Sequence, residues 1–444
     1  MEFSFGMQLA AALAKCVFAL AFVMNIVPLL IWGERKISAF IQDRPGPNRA
    51  DIMGIRAAGL VHTLVDVVKL IVKEDIAPNH VEKAYWFVAP VIAMSVSLIT
   101  FAVVPFGDVL RISDEIVIPL QVANINGGLL YILAITSLGV YGIMLAGWAS
   151  NNKFSLLGGL RSSAQMVSYE LAMGLAVVTM FLLYGTPRLD EIVAAQQGPI
   201  WNWGVFRLDG GIIFGALAFV LFWTAVFAET NRLPFDMPEG EAELVAGYHL
   251  EYSSLRFALF FMAEYANMIV GSAVTATLFF GGYAVPFLTG EQIREHADLL
   301  VMLVGVGGAL GFPAAAVIAW RRRNIPFYIE LRKKNPQDKR LREPMFWVLV
   351  WLGAAGAHAG LAAAGATHMV SSFALGPELV ALLFHINALA AKVVLGSFFM
   401  IWVRWTLPRF RYDQVMNLGW RLMLPIALFN VLGAGLWVAL TGKG

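Results

Sequence analysis

The chain has 444 residues, of which 59% are hydrophobic and only 14% are charged, and its formal net charge is +2. Since a soluble domain has about 25% charged residues, this composition excludes an ordinary soluble enzyme and indicates a polytopic membrane protein. The chain has a single cysteine, Cys16. One cysteine excludes both an intrachain disulfide and a cysteine-ligated iron–sulfur cluster within this chain, so any such cluster must belong to a partner.

Ten apolar segments are each long enough to cross a bilayer, which takes about 20 residues of α-helix. We therefore predict an all-α, polytopic bundle of about ten transmembrane helices that forms a single integral membrane domain. The predicted spans cover 7–32, 84–106, 126–149, 164–185, 209–228, 256–280, 298–320, 344–366, 378–403 and 417–440.

Lysine and arginine are distributed unevenly over the connections between these spans. The connections after spans one, three, five, seven and nine hold 25 of the 32 basic residues, whereas the other connections hold 4. Basic residues are retained on the cytoplasmic side of a membrane. The first set is therefore predicted to be cytoplasmic, with both termini on the outer side of a bacterial inner membrane.

The first of these connections contains two features. The segment from Gly33 to Arg49 crowds charges around a rigid Pro-Gly-Pro-Asn turn. The segment from Gly54 to Lys73 has apolar residues at helical spacing, interrupted by His62, Asp66, Lys69 and Lys73. This pattern predicts an amphipathic helix that lies along the membrane surface. Such a helix either anchors the loop or lines a mouth for a lipid-soluble molecule.

The connection after span five, residues 228–253, is unusually acidic, and we call it the acidic loop. Carboxylates crowded at a membrane surface raise one another's proton affinity, and partial burial raises it further. Either the loop is solvated, or its apolar residues fold it back onto the bundle and shelter the acids. Its carboxylates are Glu229, Asp236, Glu239, Glu241, Glu243 and Glu251.

Two more carboxylates, Glu170 and Glu264, lie within predicted spans. Because an acid is costly to bury in a membrane, intramembrane acids are functional candidates, although each could simply bond to a neighbouring helix. The histidines show no spacing typical of metal ligands, and we predict no metal site. In the last cytoplasmic connection Arg404, Arg409 and Arg411 face the acidic loop and could neutralise part of it.

Several long motifs, in this order, resemble the quinone-site membrane subunit of respiratory complex I, which is the H subunit of the bacterial NADH–quinone oxidoreductase and subunit 1 in mitochondria. The resemblance covers about 1–280 and 378–444. The motifs are GERKISAFIQDRPGPNR, DVVKLIVKED, RSSAQMVSYE, AETNRLPFDMPEGEAELVAGYHLEYS, FALFFMAEYANM and WTLPRFRYDQVMNLGW.

The resemblance implies a chamber that quinone enters from the membrane, with a peripheral iron–sulfur subunit docked on the cytoplasmic loops. It further implies that quinone reduction drives proton pumping by other membrane subunits through buried glutamates. We therefore expect quinone, either ubiquinone or menaquinone, as substrate. Flavin, iron–sulfur, metal and nucleic acid are not expected on this chain. It would contribute to the oxidoreductase without holding a complete active site, with the other complex subunits and membrane lipid as its partners.

Three groups of residues are implied by the motifs. The quinone chamber would be lined or gated by Arg35, Asp66, Arg232, Phe235 and Glu251. The proton path and its mouth would contain Glu170, Glu229, Glu239, Glu241, Glu243 and Glu264. The junction with the partners would be supported by Arg404, Arg409 and Arg411.

The chain departs from the family in two places. The family usually has about eight spans, so residues 290–370 are predicted to be a two-span insertion. His62 and Thr63 stand where many relatives have Gln-Pro, which affects the shape of the entrance. Two rival functions follow from the same residues: the quinone-independent anchor of a membrane-bound hydrogenase or formate hydrogenlyase, and a secondary ion transporter. The transporter would need internal repeats around a midplane site, and the sequence has none.

Overall fold

The computed structural model describes residues 5–112, 116–207, 211–240 and 245–442. The protein is an all-α bundle, as predicted, and ten helices within these residues are long and apolar enough to cross a membrane. In chain order the helices are α1 (Phe5–Ile41), α2 (Val61–Val72), α3 (Lys83–Thr100), α4 (Gly128–Ala149), α5 (Lys153–Tyr184), α6 (Leu189–Ala195), α7 (Gly211–Glu229), α8 (Ser254–Phe279), α9 (Gly290–Glu295), α10 (Ala297–Arg321), α11 (Pro326–Lys334), α12 (Glu343–Ala366), α13 (Met369–Ser372), α14 (Gly376–Thr406), α15 (Tyr412–Asn417) and α16 (Leu424–Thr441).

A small antiparallel hairpin lies between α3 and α4. Its strands are β1 (Val109–Arg111) and β2 (Val117–Pro119), with Leu110 opposite Ile118. The two strands form the only sheet in the described ranges. This sheet is too small to change the all-α architecture.

Two spans extend further than the apolar pattern predicts. Helix α1 continues through the charged sequence up to Ile41, and α5 begins at Lys153 rather than at 164. Apolar segments mark where a helix leaves hydrocarbon, not where its backbone hydrogen bonds end. Charged residues continue α1 without penalty because Glu34 and Arg35 both find partners of opposite charge.

The last span also starts differently from the prediction. It begins as α15, passes through a π-helical turn at Leu418–Met423, and continues as α16. Gly419 in this turn lies against the ring of Tyr169 on α5, where an added Cβ would be 3.3 Å from the ring. The wider turn therefore lets the last span approach α5 closely.

The connections after spans one, three, five, seven and nine meet at one end of the bundle, which we call the basic face. There the Asn152 amide donates to Glu251 over 2.8 Å, and the Phe410 amide donates to the carbonyl of Pro234 over 3.1 Å. At the opposite face Arg294 bonds Asp108 over 3.2 Å. The alternation of spans is thus as predicted, while the assignment of the basic face to the cytoplasm stays a prediction.

Helices α10 and α12 form a hairpin, residues 297–366, that contacts the main bundle near its two ends, through Ala297 beside Val380 of α14 and through Glu343. The two helices pack closely on each other, since a Cβ on Gly305 would lie 2.3 Å from the backbone of Ala362. Phe312 stacks on Trp351 with ring centroids 5.6 Å apart. In the most apolar stretch of each helix, 11% of the first and none of the second is buried. Most of the hairpin surface therefore faces outward.

Candidate functional site

A cavity of about 730 Å³ opens near the basic face between α1, α2 and the start of α8. Ligand sites in proteins are typically concave and mostly apolar, with a few placed polar groups, and this cavity has that character. Its polar lining includes Arg35, Asp66, Lys69 and His249. Its apolar wall includes Met24, Val27, Pro28, Ile31, Val67, Leu70, Tyr252, Phe257, Phe261 and Met262.

Arg35 of α1 and Asp66 of α2 form an ion pair of 2.5 Å in the wall of this cavity. They are partly exposed, at 42% and 35%. The sequence predicted both residues for the quinone chamber, and the structure brings them together in one wall. An open pair of this kind leaves further hydrogen-bonding capacity for a polar ligand group.

The acidic loop is folded back onto the bundle over most of its described length. Phe235, Met237 and Tyr248 are each 4% exposed or less. Gly247 adopts a φ of +65° and lies so close to Pro238 that a Cβ would be 1.7 Å from the carbonyl oxygen. The loop also packs on Gly158 of α5. These small residues let the chain reverse against the bundle, and its acids are brought inside.

Glu34 of α1 is the centre of a buried charge cluster. Its carboxylate accepts hydrogen bonds from Arg404 at 2.6 Å, Arg232 at 3.3 Å and the hydroxyl of Tyr265 at 2.5 Å. Its side chain is only 8% exposed. Two guanidinium groups and one hydroxyl thus surround this buried carboxyl group.

Arg232 joins this cluster to a second acid. Its second terminal nitrogen, Nη2, lies 3.8 Å from the carboxylate of Glu264 on α8. Its guanidinium carbon, Cζ, lies 4.2 Å from the ring centroid of Tyr265. The neighbouring acids and the hydroxyl of Tyr265 raise the pKa of Arg232 against the opposing effect of burial. Arginine suits this position because it stays charged when buried and binds carboxylates with several donors.

Asp236 of the acidic loop pairs with Arg409. Burial raises the pKa of Asp236 to about 7, and repulsion by Glu239 adds to the rise while Arg409 opposes it. This carboxyl group therefore changes its charge near neutral pH. Arg409 thus contacts the acidic loop and Arg404 contacts α1, while their predicted support of the junction with the partners stays a prediction.

Glu239 and His249 connect the cavity to the buried acids. Burial pushes the pKa of Glu239 upward, but His249 and Arg232 together hold it below the ordinary value. The His249 imidazole lies 3.4 Å from the Glu239 carboxylate and also lines the cavity. Glu239 is in turn within hydrogen-bonding reach of Glu264. A chain of ionisable groups thus leads from the cavity wall into the bundle.

The chain of acids continues through two small cavities of about 30 Å³ each. Glu229 and Thr136 line both cavities, and Glu264 lines the first one as well. Glu229 bonds Thr136 and is close enough to Glu170 for electrostatic repulsion, and Glu170 accepts a hydrogen bond from Ser137. A cavity of this size holds a water molecule when its walls are polar. Glu264 and Glu229 thus face one small cavity, and Glu229 is near Glu170; we call these three acids together with Glu239 the acid line.

Four of the predicted residues are not among those that line the 730 Å³ cavity. Phe235 is packed between the rings of Tyr169 and Phe410, at 5.2 and 5.4 Å, and does not line the cavity. Arg232 lies behind the cavity in the charge cluster. Glu251 bonds Asn152 at the rim and does not line the cavity either. Arg411 is exposed and contacts only Asp413 of α15 among the carboxylates of the described residues.

Glu241 and Glu243 lie outside the described residues, so their predicted place on the proton path stays a prediction. Within the described residues no group of three or more histidine, cysteine or carboxylate side chains is arranged to hold a metal ion.

Sequence reasoning did not select Glu34, Tyr265, Gln165 and His249 as site residues. The amide nitrogen of Gln165 bonds the carbonyls of Ala228 and Phe235 at 2.6 and 2.9 Å, which fixes the start of the acidic loop. Each of these residues lies inside a motif quoted above. Nothing in its local pattern distinguishes it, because its partners are distant in the chain.

The comparison with known proteins decides the family. The sequence model of the family described as NADH dehydrogenase matches residues 14–435. The chain belongs to this family. It is 41% identical to an H subunit of the NADH-quinone oxidoreductase of Solibacter usitatus, over 97% of this chain and 98% of the relative. It is 39% identical to the H subunits of the same enzyme in Leptospira biflexa and Flavobacterium psychrophilum, over 93% and 96% of this chain and 90% and 95% of those relatives.

The family predicted from the motifs is therefore confirmed, as is the multi-pass helical architecture of a membrane protein. The matches extend well beyond the segments that carried the resemblance. The roles of individual residues rest on the geometry described above and on the proposals below.

Proposed function

We propose that this chain forms the membrane entrance and part of the binding chamber for quinone in a proton-pumping NADH–quinone oxidoreductase, and that it passes the effect of quinone reduction to buried glutamates. The observation that carries this proposal is the contact between the 730 Å³ cavity and the acid line through His249 and Glu239. A cavity without such a contact would suggest only a lipid site.

The position of α2 suits an entrance for a lipid-soluble molecule. Its apolar residues Leu64, Val68 and Val72 are 59%, 59% and 77% exposed, as expected for a helix that lies on a membrane. Its other side lines the cavity with Val67 and Leu70. A quinone ring can therefore pass beneath α2 while its isoprenoid tail stays in the lipid, and the Arg35–Asp66 pair offers polar groups to the ring carbonyls.

The chemistry requires charge to move beside fixed acids. Reduction of a quinone to a quinol consumes two electrons, which a docked peripheral iron–sulfur protein supplies, and two protons. Negative charge on the reduced ring favours protonation of nearby groups. Charge that develops in the cavity acts on Glu239 across the His249 imidazole, which lies between them at 3.4 Å from the Glu239 carboxylate. That change alters the electrostatic environment of Glu264, and beyond it of Glu229 and Glu170.

The partners and sidedness follow from the same proposal. The basic face is cytoplasmic, because it carries most of the lysine and arginine residues. The peripheral subunits dock there, and the other membrane subunits receive the charge shift from the end of the acid line. Both termini are then on the periplasmic side of a bacterial inner membrane.

A pair of matched substitutions on α2 tests the entrance. Val67→Trp places bulk in the cavity, whereas Val65→Trp adds the same bulk at a residue of similar exposure, 48% against 50%, that does not line it. In the purified complex we expect the first variant to raise the KM for quinone at least about tenfold, since about one to three kcal/mol of binding is lost to a misfitting group. Electron transfer from NADH to an artificial water-soluble acceptor should be unchanged in both. Equal quinone kinetics in the two variants would contradict the proposal.

The hydrogenase anchor differs from this proposal in having no quinone. The names of the similar proteins support the quinone enzyme. Co-purification of the chain with a nickel–iron hydrogenase would instead support the anchor. Proton transport by the purified chain alone in liposomes would support the transporter.

A further inference from the structure

The hairpin is joined to the main bundle at the basic face by a buried ion pair. Arg56, in the connection between α1 and α2, donates to Glu343 at the start of α12 over 2.7 Å, and to the hydroxyl of Tyr328 on α11 over 2.7 Å. That hydroxyl also donates to Glu343 over 3.1 Å. The three residues are 5%, 8% and 5% exposed in the order Arg56, Tyr328, Glu343. We call these contacts the Arg56 lock.

Beside the Arg56 lock, the backbone of the connection before α2 also lies close to the backbone of the hairpin. Gly54 adopts a φ of +90°, and a Cβ at this position would lie 2.3 Å from the carbonyl oxygen of Lys339 in the hairpin. No residue with a side chain fits there without a shift of the hairpin turn. The connection before α2 and the turn between α11 and α12 are thus in contact through both backbone and side chains.

The same connection is stiff between the lock and α2. The imidazole of His62 accepts hydrogen bonds from the amides of Arg49 and Ala50, both at 3.1 Å. Gly59 lies against Pro47, where a Cβ would be 2.2 Å from the carbonyl oxygen. Trp32 of α1 donates to the carbonyl of Ala58 over 3.1 Å. A displacement at Arg56 is therefore passed to the first turn of α2.

Helix α2 forms one wall of the cavity, with Thr63, Asp66 and Val67 within its first two turns. The Arg56 lock is thus only a few residues from the wall that carries the Arg35–Asp66 pair. The hairpin itself contributes no residue to that cavity. The connection that holds Arg56 is therefore a direct route by which the hairpin can act on the cavity wall.

A buried ion pair is a poor source of net stability, because removing two charges from water costs about as much as their attraction returns. Its value lies in specificity, since the charges tolerate only one arrangement in which both are satisfied. At its other end the hairpin packs on α14 through Ala297, in a small cluster with Val380 and Ala381. The lock defines where its turn sits against the connection to α2.

We propose that the hairpin is a positioning element for the cavity, and that the Arg56 lock sets the place of α2 and hence the width of the entrance. This inference rests on the proposed function only in that the cavity admits quinone. Arg56, Tyr328 and Glu343 act through α2 and touch no substrate.

The first test measures the position of α2 directly. In the intact purified complex, Glu343→Gln removes the negative charge of the lock. Glu330→Gln removes the same charge from an exposed site on α11. Hydrogen exchange of the amides of residues 50–72 should accelerate at least about tenfold in the first variant, because a broken buried pair frees the segment it held. The control should match the wild type. Unchanged exchange in Glu343→Gln would overturn the proposal.

The second test measures the entrance. For a quinone with a long isoprenoid tail, Glu343→Gln should raise KM about three- to tenfold and change kcat less than about twofold, since binding rather than chemistry is affected. Tyr328→Phe should give a smaller rise in the same direction. The exchanged pair Arg56→Glu with Glu343→Arg should restore much of the loss. A fall in kcat without a change in KM would overturn the proposal.

The cavity variants separate this inference from the proposed function. If Arg35→Gln and Asp66→Asn impair quinone reduction while Glu343→Gln leaves KM unchanged, only the role of the lock is wrong. If Arg35→Gln and Asp66→Asn leave quinone reduction intact, the proposed function itself fails.

Discussion

The acidic loop and the hairpin are both inserted between spans of the main bundle, but the first buries its charged residues and the second exposes most of them. The acidic loop brings Asp236 and Arg232 inside, at 7% and 3% exposure, next to the buried acids Glu34 and Glu264. The hairpin keeps most of its many basic residues at the surface and buries charge only at the Arg56 lock. Buried ionisable groups are costly, so their concentration in the acidic loop points to a use beyond folding.

The difference also predicts where the chain tolerates change. In the acidic loop one side chain serves several partners, so a single loss leaves several groups unsatisfied. On the hairpin surface most side chains are exposed, so replacing one of them should leave few groups without a partner. The substitutions below are paired across the two regions, or between a buried site and an exposed one, to test this contrast.

The largest effect is expected for Arg232→Ala. It leaves Glu34 and Glu264 without a shared cation, and breaking a buried pair typically costs about 3–5 kcal/mol. We expect a lower thermal midpoint of the complex and a loss of quinone turnover greater than the loss of assembly. Arg322→Ala in the hairpin is the control, because its side chain is exposed and a surface change costs less than about 0.5 kcal/mol. Absence of the complex from a native gel would make Arg232 purely structural.

Glu229→Gln should act on coupling rather than on folding. The amide keeps the size of the side chain and its bond with Thr136, but it cannot exchange a proton. We expect assembly near that of the wild type and quinone-linked proton pumping slowed at least about tenfold, a modest loss for a proton-transfer group. Glu330→Gln in the hairpin should pump normally. Wild-type pumping in the Glu229 variant would remove this acid from the path.

A glycine-to-alanine substitution should lower the stability of the protein in the acidic loop and raise it in the hairpin. At Gly247, where φ is +65°, the new Cβ would lie 1.7 Å from the carbonyl oxygen of Pro238. We therefore expect the free energy of unfolding to fall by more than about 1 kcal/mol. At Gly353 in α12 nothing lies within 4 Å, and alanine should stabilise the helix by about 0.5–1 kcal/mol. Thermal midpoints of the two purified variants check this contrast, and equal midpoints would contradict it.

The smallest effect is expected in the pH dependence set by Asp236. Its pKa is raised from 3.8 to about 7, so the folded protein favours the protonated form. The associated stability is complete below about pH 4 and is lost as pH rises towards 7. Asp236→Asn should flatten the slope of the thermal midpoint over this interval. The matched change Asp413→Asn, at an aspartate that is 67% exposed, should leave the slope as it is.

The sequence was sufficient for the spans and for the acids within them, because apolar length and buried charge are local signals. It was not sufficient for the ends of α1 and α5, since those depend on where backbone hydrogen bonding stops. It also missed the role of Glu34. The three partners of this residue lie 198, 231 and 370 positions away, and no local pattern reveals such contacts. His249 was missed for a similar reason, because its importance comes from the cavity that it borders.

Helix α1 carries one more consequence. It has 37 residues with Pro28 in its interior, is about 55 Å long at 1.5 Å per residue, and carries Glu34 and Arg35 as consecutive residues after that proline. Neighbouring residues of a helix project roughly 100° apart, so one of them meets the buried arginines while the other meets whatever occupies the cavity. A slight rotation of the helical segment after Pro28 displaces both charged groups together. Ligand binding in the cavity and the buried charge cluster are therefore connected through two adjacent residues of one helix.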